Sequence, residues 1–131
     1  MIGVLILSHG NLSKGLVHSA KMVAGCYKGA AQLSLMPGVA PEAFLDSVQK
    51  KIESLDQGKG VLILTDMKGG TPFISACKSL NSYPTAIVTG VNLSMAMEAL
   101  MSNEDYDDLK EFAEAVAAVG HRGIETIFEI E

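Results

Sequence analysis

The sequence contains only two cysteines, Cys26 and Cys77. They form no disulfide framework and lack metal-ligand spacing. Both fall in helical patterns and are expected to be buried, reduced thiols in a cytosolic protein. No cluster of lysine and arginine is present, and the net charge is −5. This argues against nucleic acid or anionic membrane as a direct partner. No apolar run approaches a membrane span. The N-terminus lacks the basic start and cleavage site of a secretory signal, and its apolar run breaks at Ser8-His9-Gly10. There is no tryptophan, low-complexity linker or internal repeat. What remains is 131 residues, 48% hydrophobic and 19% charged. That is the composition of one globular domain, residues 1–131.

The chain is organised around Gly60–Phe73, GVLILTDMKGGTPF. Val61–Leu64 is an unbroken aliphatic run, as in a parallel strand covered on both faces. Asp66 stands just past its carboxyl end. Gly69-Gly70 permits a tight turn. Thr71 is expected to be an N-cap and Pro72 the first helical residue. Strand, carboxylate, glycine turn and helix start follow one another, so free N–H groups and the positive helix end face the space beside Asp66. Phosphate binds well in such a place. A capped helix after a core strand, with a solvated aspartate, reads the same way.

Ile2–Leu7 is a second buried-type strand, ending at Ser8-His9-Gly10. Leu12, Leu16, Ala20, Val23 and Tyr27 then form one apolar helical stripe. Ala31–Met36 is a short strand followed by Pro37-Gly38. Pro41 starts a helix with Phe44, Leu45, Val48, Ile52 and Leu55 inward. The helix after Pro72 is expected to turn Phe73, Ile74, Cys77 and Leu80 inward. Thr85–Thr89 is a strand, Gly90-Val91-Asn92 a turn, and Leu93–Met101 a methionine-bearing helix suited to core or subunit interface. Asp107 and Asp108 precede a helix burying Leu109, Phe112, Val116 and Val119. Ile124–Ile130 alternates with period two, which predicts an antiparallel edge strand with one wet face.

The expected fold is α/β: a doubly wound sheet of four parallel strands in the order 2-1-3-4, plus a C-terminal antiparallel edge strand, with helices on both faces. Ligands bind such sheets outside the carboxyl ends of the strands, where the winding reverses. If the second strand packs outside the first, His9, Asp66 and the helix start at Thr71 converge. Asp66 would hold one ring nitrogen of His9 and leave the other as nucleophile. Gly69, Gly70 and Thr71 would steady phosphoryl oxygens. The set makes a phosphoryl acceptor without metal or cofactor. A receiver domain would need an acidic pair where Ser8-His9 stands. A nucleoside triphosphatase loop needs Gly-Lys-Ser/Thr, which Lys68-Gly69-Gly70-Thr71 does not supply. His18 and His121 read as surface or packing residues.

Leu7-Ser8-His9-Gly10, Met36-Pro37-Gly38, Asp66 with Gly69-Gly70-Thr71-Pro72, and Gly90-Val91-Asn92, in that order, resemble the mannose-type (mannose/fructose/sorbose) enzyme IIA component of the bacterial sugar phosphotransferase system. The resemblance runs over essentially the whole chain. It implies phosphorylation of His9 and orientation of His9 by Asp66. It implies a histidine-containing phosphocarrier protein as donor, a IIB component as acceptor, and sugar entry through membrane IIC and IID components. Candidate loop contacts are Ser8, Gly10, Pro37, Met67 and Asn92. Met67 departs from relatives with a hydroxyl residue after the aspartate. Because the sequence ends at Glu131, a separate IIB is expected. Relatives are dimers whose last strand joins the partner's sheet, and they work in the cytoplasm or at the inner membrane face beside the transporter. Two alternatives are the phosphocarrier subunit of a dihydroxyacetone kinase, which lacks this glycine-glycine-hydroxyl-proline turn, and a non-catalytic regulatory module that binds an anion or a partner on the same fold.

Overall fold

The computed structural model describes residues 1–25 and 27–130. The aliphatic runs form four parallel strands: β1 (Gly3–His9), β2 (Ala30–Leu35), β3 (Val61–Thr65) and β4 (Thr85–Val88). Their order is β2-β1-β3-β4, as the sequence predicts. Leu7 stands opposite both Leu33 of β2 and Thr65 of β3. The helices are α1 (Leu12–Ala24), α2 (Pro41–Leu55), α3 (Gly70–Ser79), α4 (Leu93–Ser102) and α5 (Leu109–Arg122). None is long and apolar enough to cross a membrane.

Alternation along the strands divides the core into two layers. Val4, Ile6, Leu62 and Leu64 pack with Ala20 of α1, Met95 and Ala99 of α4, and Phe112 and Val116 of α5. Leu5, Leu7, Val61 and Ile63 face the other way, onto Phe44, Val48 and Ile52 of α2 and Ala76 of α3. Both faces are thus covered, which is why the central strands carry no polar alternation. β1 and β3 are neighbours with their crossovers leading in opposite directions, so the winding reverses between His9 and Asp66.

Several elements differ from the sequence reading. The inward face of α1 is Ser13, Leu16, Val17 and Ala20, while Leu12 and Val23 are exposed. Ser13 turns the helix, because its N–H donates to Ser8 Oγ at 2.7 Å and its hydroxyl to Gln32 Oε1 at 2.8 Å. The inward face of α3 is Pro72, Ser75, Ala76 and Ser79, with Ile74 and Leu80 exposed. Small side chains let this helix lie close on the sheet, and Ser79 satisfies its hydroxyl on the Ser75 carbonyl at 2.9 Å. Leu45, Leu55, Leu109 and Val119 are half-buried. Cys77 is in α3 as expected but half-buried, and Cys26 lies outside the described residues.

The expected C-terminal edge strand does not form within the chain. Residues 123–130 pair with no strand and are exposed throughout, Phe128 to 92%. β4 is a sheet edge among the described residues. A segment with so many apolar side chains in water has a pattern for a surface that this chain alone does not provide.

The α4–α5 corner is fixed by Asn103, which is buried. Its amide donates to the carbonyls of Ile2 at 3.1 Å and Lys28 at 2.9 Å, and its own carbonyl accepts from Ile2 N–H. Thr65 stands in contrast: its hydroxyl is fully buried and pairs with no group among the described residues. An unpaired buried hydroxyl costs about 1–3 kcal/mol. Thr65→Val keeps the shape and removes the hydroxyl, so it should raise stability by about 1 kcal/mol. Urea unfolding measures this, and a lower midpoint in the variant would contradict it.

Candidate functional site

His9 is the last residue of β1, and Asp66 follows the last residue of β3. The switch in winding brings them together. Asp66 Oδ2 accepts the His9 backbone N–H at 2.8 Å and lies 2.7 Å from His9 Nδ1. Asp66 Oδ1 accepts the Met67 N–H at 2.9 Å. A carboxylate only accepts, so Nδ1 carries the proton and Nε2 is left with its lone pair. The histidine side chain is 46% exposed and the aspartate 10%. The ring is open to a partner while its anchor is sheltered.

Nε2 faces the start of α3. A Cβ built on Gly70 would lie 2.8 Å from both His9 Cε1 and Nε2, closer than real contacts allow. Gly70 is the first residue of the helix and has φ +76°, so both its space and its conformation suit glycine. The N-cap is Gly69 rather than Thr71, and it has no side chain to cap with. Thr71 is the second helical residue and Pro72 the third. The N–H groups of Gly70 and Thr71 remain as orphan donors beside the ring, Pro72 contributes none, and the helix dipole adds positive potential. The displaced cap follows from the glycine pair, whose φ of +125° and +76° turns the chain into the helix two residues early. The consequence is an uncapped helix end, better suited to receiving an anion than the capped one expected from sequence.

Burial pushes the Asp66 carboxyl up. Hydrogen bonds from the His9 backbone and ring, the charge on that ring, and the Met67 N–H outweigh burial and hold the carboxyl below its ordinary value. Asp66 is therefore ionised wherever the protein works near neutrality.

The loop residues divide. Ser8 is buried, its hydroxyl donating to the Gly10 carbonyl at 3.1 Å and accepting the Ser13 N–H. It caps α1 from before the His9 turn and is committed to the fold. Gly10 donates to the Leu35 carbonyl at 2.8 Å, tying that turn to β2. Pro37 is exposed in the loop after β2, whose last residue pairs with His9. Met67 is exposed and meets Asp66 through its N–H. Asn92 is elsewhere: its side chain caps α4 at Met95 N–H and donates to the Gly120 carbonyl at 3.2 Å. Sequence reasoning missed the half-buried network of Ser13, Gln32 and Ser34 beneath the His9 turn. Its available signal was two polar residues, Gln32 and Ser34, on one face of a strand.

Residues 3–117 match the family described as PTS system fructose IIA component. The mannose-specific EIIAB component of Escherichia coli is 28% identical over 127 residues, covering 96% of this chain and 39% of that protein. The chain thus spans about two fifths of the length of that curated relative. Among solved structures, the mannose/sorbose-specific IIA subunit from Enterococcus faecalis superposes with a TM-score of 0.89 at 27% identity, over 99% of this chain and 97% of that one. The phosphotransferase system EIIA from Streptococcus agalactiae gives 0.88 at 28% identity, over 96% and 97%.

Two outcomes test the geometry. Gly70→Ala should displace the His9 ring from Asp66, with about 1–3 kcal/mol of strain at a positive φ. Loss of the hydrogen-bonded Nδ1–H resonance in NMR would report it, and an unshifted ring would refute it. The second is a pH dependence. A carboxyl with a depressed folded pKa contributes stability that is full above its unfolded pKa and lost as pH falls through the folded one. The stability gap between wild type and Asp66→Asn should therefore shrink as the pH falls below about 4 and the carboxylate takes up its proton. Denaturant unfolding across that range measures it.

Proposed function

The chain belongs to the family of PTS system fructose IIA components, and on that premise we propose that it is a phosphoryl carrier working through His9. The observation that carries this reading is the 2.7 Å contact of Nδ1 with Asp66, which leaves Nε2 facing the α3 start. Nε2 attacks the phosphorus of a phosphohistidine on the donor, a histidine-containing phosphocarrier protein. One N–P bond forms as the donor's breaks, and the donor imidazole leaves with the bonding electron pair. His9 then holds phosphorus on Nε2 and a proton on Nδ1, so the ring is cationic, and ionised Asp66 stabilises it without taking the proton. The N–H groups of Gly70 and Thr71, with the Thr71 hydroxyl, would donate hydrogen bonds to the phosphoryl oxygens. Gly69 contributes by leaving the helix end bare. The reverse sequence delivers the group to a IIB component, for sugar uptake through membrane IIC and IID components at the cytoplasmic face.

Assembly belongs to the same reading. The apolar side chains of residues 124–130 are in water and β4 is an edge. Burying side chains such as Ile124, Phe128 and Ile130 stabilises by about 1.5–3 kcal/mol each. Exchange of this segment between twofold-related copies would pair the edge and bury them, giving a homodimer.

Incubation with phosphoenolpyruvate, the general phosphotransferase protein and the phosphocarrier should place an acid-labile, base-stable phosphate on His9. His9→Gln should abolish it in a folded protein, and Asp66→Asn should slow transfer by about 10–100-fold, a loss of ~1.4–2.8 kcal/mol. Phosphate mapped to His18 or His121 would defeat the assignment. For assembly, light scattering should give a dimer at micromolar concentration, and deletion from Gly123 onward a monomer or aggregate. A monodisperse full-length monomer would end the exchange reading and leave the His9 chemistry standing.

A further inference from the structure

Successive peptide groups around His9 are each held by a different partner. The His9 N–H donates to Asp66 Oδ2 at 2.8 Å. The Gly10 N–H donates to the Leu35 carbonyl at 2.8 Å. The Gly10 carbonyl accepts from Ser8 Oγ at 3.1 Å. Side-chain packing adds nothing at Gly10, where a Cβ would meet no atom within 4 Å. Its φ is +57°, and glycine is the residue with most backbone freedom to lose. Hydrogen bonds therefore hold this turn, and the last of them depends on one hydroxyl.

That hydroxyl is fully buried and is used twice. It donates to the Gly10 carbonyl and accepts the Ser13 N–H at 2.7 Å. Asn11 stands at the N-cap of α1, but its side chain makes no capping bond. Ser8 serves instead, from five residues before Ser13. Ser13 is fixed in turn to β2, its hydroxyl donating to Gln32 Oε1 at 2.8 Å. The start of α1 and the carbonyl that follows His9 thus meet at one oxygen atom. Successive side chains of a strand point to opposite faces. Ser8 follows Val4 and Ile6 toward α1, and His9 follows Leu5 and Leu7 toward α3. Ser8 lies across the sheet from the imidazole and reaches it only through the backbone.

The clearance at the ring makes this restraint matter. A Cβ on Gly70 would lie 2.8 Å from Nε2 and Cε1, so the imidazole fills the space that glycine leaves. On its other side Nδ1 is 2.7 Å from Asp66 Oδ2. The ring has little room to shift between them. We propose that Ser8 is a positioning residue for phosphoryl transfer. By pinning the Gly10 carbonyl to the start of α1, its hydroxyl holds the His9 backbone so that Nε2 points at the α3 start. Asp66 sets the tautomer, and Ser8 sets where the ring is carried. Misplacing reacting groups by about 1 Å costs about 100-fold in rate, so a loosened turn is felt at phosphorus that Ser8 never touches. This rests on the carrier reading above.

The test uses the full chain with the phosphorylated donor protein, under reducing conditions. Ser8→Ala removes the hydroxyl. Ser8→Cys keeps a similar shape with a thiol, a weak donor and acceptor. Both should lower kcat for transfer to His9, the alanine variant by about tenfold. The donor KM should not change, because Ser8 is buried and meets no partner. The His9 Nδ1–H resonance in NMR should shift and exchange faster with water. Ser79→Ala is the control: it takes an equally buried hydroxyl from a carbonyl at the far end of α3. It should leave kcat and the ring resonance as in wild type. Wild-type kcat in folded Ser8→Ala overturns the assignment, as does an equal loss in Ser79→Ala. If Ser8→Ala does not fold, wild-type kcat in Ser8→Cys overturns it. Failure of the carrier reading is distinguishable: the wild-type chain would take up no phosphate on His9, while the ring resonance would still move in the Ser8 variants.

Discussion

One carboxylate oxygen, Asp66 Oδ2, holds the backbone and the ring of His9 together. The first bond ties the end of β1 to the turn after β3. The second fixes the tautomer and direction of the imidazole. A histidine at the end of a strand is ordinarily free to rotate into solvent. Here the same atom that joins two strands orients the ring, so Nε2 is placed by the sheet itself. Burial of Asp66 would favour its neutral form. Its hydrogen bonds from His9 and Met67 reverse that, and the carboxylate beside the ring stays ionised.

The geometry depends equally on absent side chains. Gly70 leaves room for the imidazole, and Gly69 leaves the helix end uncapped. On the other side of the sheet, Ser8 closes the His9 turn from within and caps α1 at a distance, with Ser13, Gln32 and Ser34 satisfying one another beneath it. A buried polar group is costly when unpaired and rigidifying when paired. This network holds the turn while the apolar layers hold the sheet.

Two surfaces have more apolar exposure than a solitary domain requires: the segment after α5 and the outward face of α1. They differ in character. The first is a sheet-forming pattern without a sheet, at the end of the chain beside an open edge. The second is a helix already packed on its inner side, with Leu12, Met22 and Val23 exposed. Both surfaces are of the kind that association would cover.

The sequence by itself determined the strand order and the positions of His9 and Asp66 at strand ends. Long aliphatic runs and glycine-bearing turns depend on the local chain and on simple winding rules, so they are legible one residue at a time. The tertiary structure decided what depends on distance across the fold. It turned α1 through Ser13, because a hydrogen-bond partner on β2 outweighed the apolar stripe through Leu12 and Val23. It seated α3 on serine and alanine, because close approach to the sheet outweighed hydrophobicity at Ile74 and Leu80. It moved the N-cap from Thr71 to Gly69, because backbone φ at two glycines outweighed a capping preference. It withheld the last strand, because the period-two pattern of Ile124–Ile130 specifies a partner surface and not which chain supplies it.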